Sequence, residues 1–278
     1  MECPKEFSQK KSDDYKKLVA DVVEAYTTRS NKKNDVAPAW CNIHTFVNKQ
    51  GEIVIDDKGI NICHEINLWT YWQGLGYEKK TPAIKYLVVG QDWGNPFNFE
   101  SQIMKNIIQM NTNSSIQYLD GLKPKENDTD SNLAELFKIL DKKYDIRSER
   151  YNELFFTNFC LGYRTGRISG GMNNPRMKED TKYFNTLCNI LKPDNILCLG
   201  QTTFDCVHKA LSDEKLPYNG KYMDYLDSMR NQNNPYEVAK IEDKSIRIYA
   251  LAHCGDFGIR NRAGGLKTHE DDWKRIKG

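Results

Sequence analysis

The chain has 278 residues, of which 39% are hydrophobic and 28% charged, and its 40 basic and 38 acidic residues leave a net charge of +2. This length accommodates one hydrophobic core plus an extension. The near-zero net charge excludes nucleic-acid recognition by a uniformly basic surface, so such binding would need a local patch. The sequence has neither a long apolar run nor a signal-peptide pattern, which predicts a cytoplasmic protein without a membrane partner.

The eight cysteines are scattered and form no compact framework, which favours reduced thiols over disulfides. A zinc site is the alternative for four residues, which are Cys41, His44, Cys63 and His64. Their spacing is poor for a tetrahedral site, because adjacent residues on a strand point to opposite faces. We therefore predict no metal and no cofactor.

The first 84 residues predict an extension that packs on the main domain. Residues 12–30 have the periodicity of an amphipathic helix, with Leu18, Val22, Val23 and Tyr26 on its apolar face. Residues 45–55 predict a β-hairpin, and residues 67–73 predict an aromatic-rich helix. The aromatic side chains of that helix could stack on unpaired bases, but we favour a role in docking the extension onto the core.

Four apolar runs predict buried strands of a mostly parallel sheet. They cover residues 86–90, 154–158, 195–200 and 248–253. Helical patterns lie between and after them, at residues 133–140, 203–211 and 272–276. Alternating strands and helices are typical of an α/β domain, which we place at residues 85–278 with an insertion at about 100–150.

Polar residues stand at or just beyond the ends of three of these strands. Asp92 lies two residues past Gly90, Asn158 ends the second strand, and His253 ends the last. Loops at the carboxyl ends of parallel strands line the ligand crevice, so these side chains are predicted to meet at one end of the sheet. A carboxylate could act as a general base, an amide could recognise the edge of a nucleobase, and an imidazole could donate a hydrogen bond to an oxyanion. Taken alone, Asp92 could equally cap a turn or helix.

These motifs make the chain similar to the uracil-DNA glycosylase superfamily. Gly90, Gln91 and Asp92 resemble its Gly-Gln-Asp water-activating motif, residues 156–158 resemble part of its central block, and His253 stands where the superfamily has its histidine motif. The resemblance runs from residue 85 to the C-terminus. It implies a three-layer α/β/α fold around a central, mostly parallel four-stranded sheet.

The resemblance also implies a DNA glycosylase, which extrudes a pyrimidine from the duplex and hydrolyses its N-glycosidic bond to leave an abasic site. Asp92 would position or deprotonate water and stabilise the sugar cation, while His253 would donate a hydrogen bond to O2 of the base. Asn158 would read the base edge, the backbone of Gln91 would hold the base, and Phe97 would stack on it. The iron–sulfur cluster of some branches is not expected, because their paired N-terminal cysteines have no counterpart.

The identity of the excised base depends on Gly94. The classical motif has a tyrosine there that sterically blocks C5 of the pyrimidine, and glycine has no side chain to do so. The substrate is therefore either uracil or a C5-modified pyrimidine, such as those in the DNA of some bacteriophages. A modified base would imply an antiviral role instead of housekeeping repair. Phe99 is the alternative to Phe97 as the stacking residue.

Two basic segments are predicted to contact DNA phosphates, with solvated surface loops as the alternative. Their arginines are Arg164, Arg167 and Arg176 in the first segment and Arg260 and Arg262 in the second. The superfamily's Pro-Ser after the histidine is replaced here by Cys254 and Gly255. The side chain that enters the base stack in place of the extruded nucleotide, the wedge, is therefore either Phe257 or Ile259.

Two other functions remain open. The altered segment after His253 could belong to a non-catalytic nucleic-acid-binding protein of the same fold. The N-terminal extension could instead be the lid of an α/β hydrolase that acts on free nucleosides or nucleotides. Our first expectation is a monomeric DNA glycosylase whose partner is DNA.

Overall fold

The computed structural model describes residues 84–91, 129–146, 153–160 and 177–276, together with Asp14, Lys17, Leu18, Asp21, Val22, Ala25 and Tyr151. The strands in this part of the chain are β1 (Tyr86–Gly90), β2 (Leu154–Asn158), β3 (Asn195–Leu199), β4 (Glu237–Ile241) and β5 (Lys244–Leu251). They form one sheet in the order β2-β1-β3-β5-β4. The first four strands in this order run parallel, and β4 pairs antiparallel with β5 at the edge.

Besides the helical residues near the N-terminus, six α-helices accompany these strands in the described part of the chain. They are α1 (Thr129–Leu140), α2 (Thr181–Leu191), α3 (Gln201–Leu211), α4 (Tyr222–Met229), α5 (Asp256–Asn261) and α6 (Gly265–Trp273), and a 3-10 helix (Lys178–Asp180) leads into α2. None of the helices in the described ranges is long and apolar enough to span a membrane.

The side chains of β1, β2 and β3 are buried on both faces, as is typical of parallel strands covered by helices. Leu87 and Val89 of β1 belong to a cluster that includes residues of α2, α3 and α4. Tyr86 and Val88, which alternate with them, belong to a second cluster that includes residues of α1 and Trp273 of α6. Helices thus cover both faces of the sheet, which confirms the predicted α/β class and its three layers.

Part of the N-terminal extension packs on this core. Leu18 and Val22 are helical and fully buried, and they join the cluster that also contains Leu87 and Val89. The apolar stripe predicted for residues 12–30 therefore faces the domain at these two positions. The predicted hairpin at 45–55 and the aromatic helix at 67–73 lie outside the described residues.

The predicted count of four strands is wrong, because β4 adds a fifth. β4 and β5 form a hairpin whose two-residue turn is Glu242 and Asp243. Glu242 has φ +52°, a left-handed conformation that hairpin turns usually assign to glycine or asparagine. The C-terminal helix also begins earlier than residues 272–276 suggested, at Gly265.

The described cysteines are all buried, and none of them forms a disulfide. They are Cys160, Cys188, Cys198, Cys206 and Cys254. Burial raises the pKa of Cys206 to about 11, and it raises the pKa values of Cys188 and Cys198 still further above the ordinary thiol value.

Arg262 requires a correction to the predicted DNA contacts. Its side chain is only 1% exposed, and its guanidinium donates hydrogen bonds to both carboxylate oxygens of Asp272 and to Asp227. These partners lie on α6 and α4, so Arg262 joins the end of α5 to two other helices. A guanidinium that is buried and bound to two carboxylates is not available to a DNA phosphate.

We expect Arg262→Ala to destabilise the protein by about 3–5 kcal/mol, because it leaves the buried Asp272 without one of its partners. The matched control is Arg260→Ala in α5, where the side chain is 70% exposed and forms an i,i+4 pair with Asp256. Such exposed pairs contribute about 0–1 kcal/mol. Urea unfolding of both variants measures the difference, and equal losses would contradict the burial of Arg262.

Candidate active site

The carboxyl ends of four parallel strands lie at the same end of the sheet. Asn158 at the end of β2 is paired with Gly90 at the end of β1, and Leu199 at the end of β3 is paired with Leu251 at the end of β5. Because these strands are parallel, their carboxyl ends lie on the same side, where ligands bind in open α/β sheets. His253 follows two residues beyond Leu251. The structure therefore brings Gln91, Asn158 and His253 to the carboxyl end of the sheet.

The end of β1 is shaped to accept the Asn158 side chain. A β-carbon built at Gly90 would lie 2.2 Å from Oδ1 of Asn158, so glycine is needed for the amide to lie across β1. The two strands stay paired beyond this point, because the N–H groups of Phe159 and Cys160 donate to the carbonyls of Gly90 and Gln91 at 2.9 and 3.0 Å. The Gln91 carbonyl is therefore already bound in the sheet.

The last carbonyl of β5 is held by two donors. The N–H of Gly200 donates to Leu251 O at 2.8 Å, and the hydroxyl of Tyr222 donates to the same oxygen at 3.0 Å. Gly200 has φ +98°, which L side chains rarely adopt, and it lies close to His253. This arrangement fixes the point at which the chain leaves β5.

The hydrogen bonding of His253 defines its chemical form. The Gly255 N–H donates to Nδ1 of His253 at 3.0 Å. An Nδ1 that accepts a hydrogen bond carries no proton, so a neutral ring has its proton on Nε2 and donates from there. Gly255 also has no room for a side chain, since a β-carbon would lie 2.7 Å from the hydroxyl of Thr129 and 3.0 Å from the His253 ring.

His253 is exposed to solvent, yet its pKa is lowered. The lowered pKa comes from the protein atoms around the ring. Desolvation by these surroundings is the main cause, and His269 nearby lowers the pKa further. His269 is buried beside the carbonyl of Gly258. A lowered pKa means that the His253 ring is neutral at pH 7.

Helix α5 packs directly on His253. A β-carbon at Gly258 would lie only 1.8 Å from the His253 carbonyl oxygen, so α5 can approach this closely only because Gly258 lacks one. The helix presents Phe257, whose side chain is 64% exposed, next to the site. Arg260 is also exposed, and its guanidinium lies 2.7 Å from the carboxylate of Asp256. Of the two candidate wedges, Phe257 is the more exposed, while Ile259 is half-buried.

Several predicted site residues lie outside the described residues. They are Asp92, Gly94, Phe97, Arg164, Arg167 and Arg176. The same holds for the zinc alternative at Cys41, His44, Cys63 and His64. Within the ranges that the structure does describe, no cluster of three or more histidine, cysteine or acidic side chains could hold a metal ion.

Asn132 of α1 is a site residue that the sequence analysis missed. Its side-chain amide donates to the carbonyl of Cys254 at 2.9 Å, in a buried contact between residues 122 positions apart. Nothing local marks Asn132, because it lies at the polar start of an ordinary amphipathic helix.

In comparisons with known proteins, no family model matches the chain, and no curated protein is significantly similar to it.

We expect His253 to titrate with a midpoint below its ordinary pKa of 6.5. The unfolded chain then takes up the proton first as pH falls, so the contribution of His253 to stability is lost on acidification below about 6.5. Imidazole nitrogen shifts followed by NMR measure the midpoint, with His253→Gln to assign the signal and the urea-unfolded protein as reference. A midpoint at or above that of the unfolded chain would contradict the burial effect.

Proposed function

We propose that this protein is a DNA glycosylase, which flips a pyrimidine out of the double helix and hydrolyses its N-glycosidic bond. The observation that carries the proposal is the form of His253: a neutral imidazole at the carboxyl edge of a parallel sheet, with Nδ1 occupied by the Gly255 N–H and Nε2 left as a donor. Such a donor suits an oxygen that gains negative charge during a reaction.

Bond cleavage places that charge on the departing base. As the bond between C1′ and N1 breaks, the sugar becomes cation-like and the pyrimidine gains negative charge, much of it on O2. His253 would donate from Nε2 to this oxygen. A neutral donor stabilises the growing charge without first having to gain a proton, which fits a ring whose pKa is lowered.

The other groups would act from the neighbouring strand ends. Asn158 ends β2 and His253 follows β5, and β1 and β3 lie between these two strands, so three steps of ~4.8 Å put the strands ~14 Å apart. Side chains that reach inward from both sides would narrow this gap to the size of one planar base. Asp92 comes two residues after Gly90 in the sequence, and its carboxylate would activate water and stabilise the sugar cation. Phe97 would stack on the base.

The DNA-facing surface would be formed partly by α5. An exposed aromatic side chain beside a base-flipping site can enter the stack that the extruded nucleotide leaves. Phe257 has the exposure for this role and is fixed to His253 by the packing of Gly258. Arg260 is exposed and positively charged, so it would contact a phosphate by exchanging its partner Asp256. Arg164, Arg167 and Arg176 would add further phosphate contacts.

The substrate is proposed as uracil or a C5-modified pyrimidine. Gly94 supplies no side chain to block C5, so a substituent there would be tolerated. Excision of modified phage bases would make the protein an antiviral enzyme, whereas excision of uracil would make it a repair enzyme.

We expect Asp92→Asn and His253→Gln to reduce excision strongly, by about 10²- to 10⁴-fold for the loss of general-base chemistry and about 10²- to 10³-fold for the loss of an oxyanion donor. Single-turnover assays would use oligonucleotides that contain uracil, thymine or hydroxymethylated pyrimidines. DNA affinity should persist in both variants, since neither change removes a phosphate contact.

Three results would contradict this mechanism. Wild-type turnover in both variants would exclude the assigned roles. DNA binding by the wild type without excision of any base would favour a non-catalytic binding protein. Hydrolysis of free nucleosides in preference to oligonucleotides would favour the nucleoside hydrolase.

The role of Phe257 can be tested against a matched residue. Phe257→Ala should lower kcat/KM on duplex substrate about tenfold, because one stacking contact contributes ~1–3 kcal/mol. Activity on single-stranded substrate should fall less, since no base stack has to be opened. Val238→Ala is the control, because Val238 is similarly exposed at 58% but lies on the edge strand β4. Equal effects of the two changes would exclude Phe257 as the wedge.

A further inference from the structure

We infer that Asn132 is a positioning residue that fixes the proton of His253 on Nε2, acting through a single peptide bond. This inference rests on the proposed function for its catalytic meaning, although its structural content can be tested separately. Asn132 lies on α1, in the part of the chain that the sequence analysis treated as an insertion.

The peptide unit between Cys254 and Gly255 is held at both ends. Its carbonyl oxygen accepts a hydrogen bond from the Asn132 amide at 2.9 Å, and its N–H donates to Nδ1 of His253 at 3.0 Å. A peptide unit is planar and its C=O and N–H point in opposite directions, so a donor that fixes the oxygen also fixes the direction of the N–H. Asn132 therefore aims the Gly255 N–H at the imidazole.

The two hydrogen bonds also strengthen each other. A donor on the carbonyl oxygen polarises the peptide unit and makes its N–H a better donor. A stronger hydrogen bond into Nδ1 disfavours a proton on that nitrogen and so favours the Nε2–H form. The segment needs this support because residues 252–255 belong to neither a strand nor a helix.

Asn132 itself is held rigidly. Its side chain is 5% exposed, and α1 is anchored to the sheet and to α6 by Phe137, whose ring centroid lies 5.3 Å from those of Phe156 and Trp273. Thr129, at the start of the same helix, lies against Gly255. α1 thus presents a fixed donor to a segment without regular structure.

The test uses Asn132→Asp, which keeps the side-chain shape. An ionised carboxylate cannot donate to the Cys254 carbonyl, so kcat for excision should fall about ten- to a hundredfold while KM changes little, as expected when a catalytic group is misplaced. The imidazole nitrogen shifts of His253 should move from the Nε2–H form towards a mixture of tautomers. As pH falls and the new carboxyl gains a proton, it can donate again, and the deficit in kcat should shrink.

Two further variants separate positioning from stability. Asn132→Leu cannot donate at any pH, so it should show the same loss of kcat without recovery in acid. Leu136→Ala removes a buried side chain of α1 that belongs to the sheet-facing core. It should lower the melting temperature at least as much as Asn132→Asp does, yet leave kcat and the His253 shifts unchanged.

The inference is overturned if Asn132→Asp keeps wild-type His253 shifts, or if Leu136→Ala loses kcat in proportion to its loss of stability. The NMR measurement does not depend on catalysis. If wild-type protein excises no base but Asn132→Asp still alters the His253 tautomer, the proposed function fails and the positioning role stands. If the wild type excises a base but Asn132→Asp leaves the His253 shifts unaltered, the proposed function stands and the positioning role fails.

Discussion

The geometry of the candidate site depends on the close approach of Gly258 to the His253 carbonyl oxygen. Any larger residue would place a carbon 1.8 Å from that oxygen, so only glycine lets α5 pack this closely against the histidine backbone. The far end of the same helix is held by Arg262, whose guanidinium is buried between Asp227 and Asp272. The backbone of His253 and helix α5, which carries the exposed Phe257, therefore pack directly on one another. The proposed catalytic role of His253 and the proposed DNA contact of Phe257 would thus both depend on the packing of α5.

The sequence predicted the strands best where they are buried on both faces of the sheet. Parallel strands covered on both faces have continuous apolar sequences, and all four such runs formed strands, three with bounds close to those predicted. The last strand, β5, begins four residues before the predicted position 248 and ends two residues before position 253. The residues that follow such strands could then be assigned to one edge of the sheet from topology alone. This is why Asn158 and His253 could be placed together without any structural information, although they are 95 positions apart in sequence.

What the sequence could not supply were features that depend on distant partners or unusual turns. β4 alternates buried and exposed residues, and its turn uses Glu242 in a left-handed conformation without the glycine or asparagine that marks most hairpins. Arg262 stands in a segment rich in arginine and glycine that resembles a surface loop, and only the folded chain brings its two carboxylates to it. Asn132 could not be identified from the sequence for the same reason, since its hydrogen-bond partner lies 122 residues away.

The buried cysteines have a consequence for how the folded state can be observed. Thiol reagents attack the thiolate, and both burial and a raised pKa suppress that form at Cys188, Cys198 and Cys206. These three side chains come from α2, β3 and α3, so they belong to one face of the core and become reactive only when that face opens. Their alkylation rate therefore reports the frequency of unfolding events on that side of the sheet. No cysteine has to be introduced to follow the opening of this side of the core.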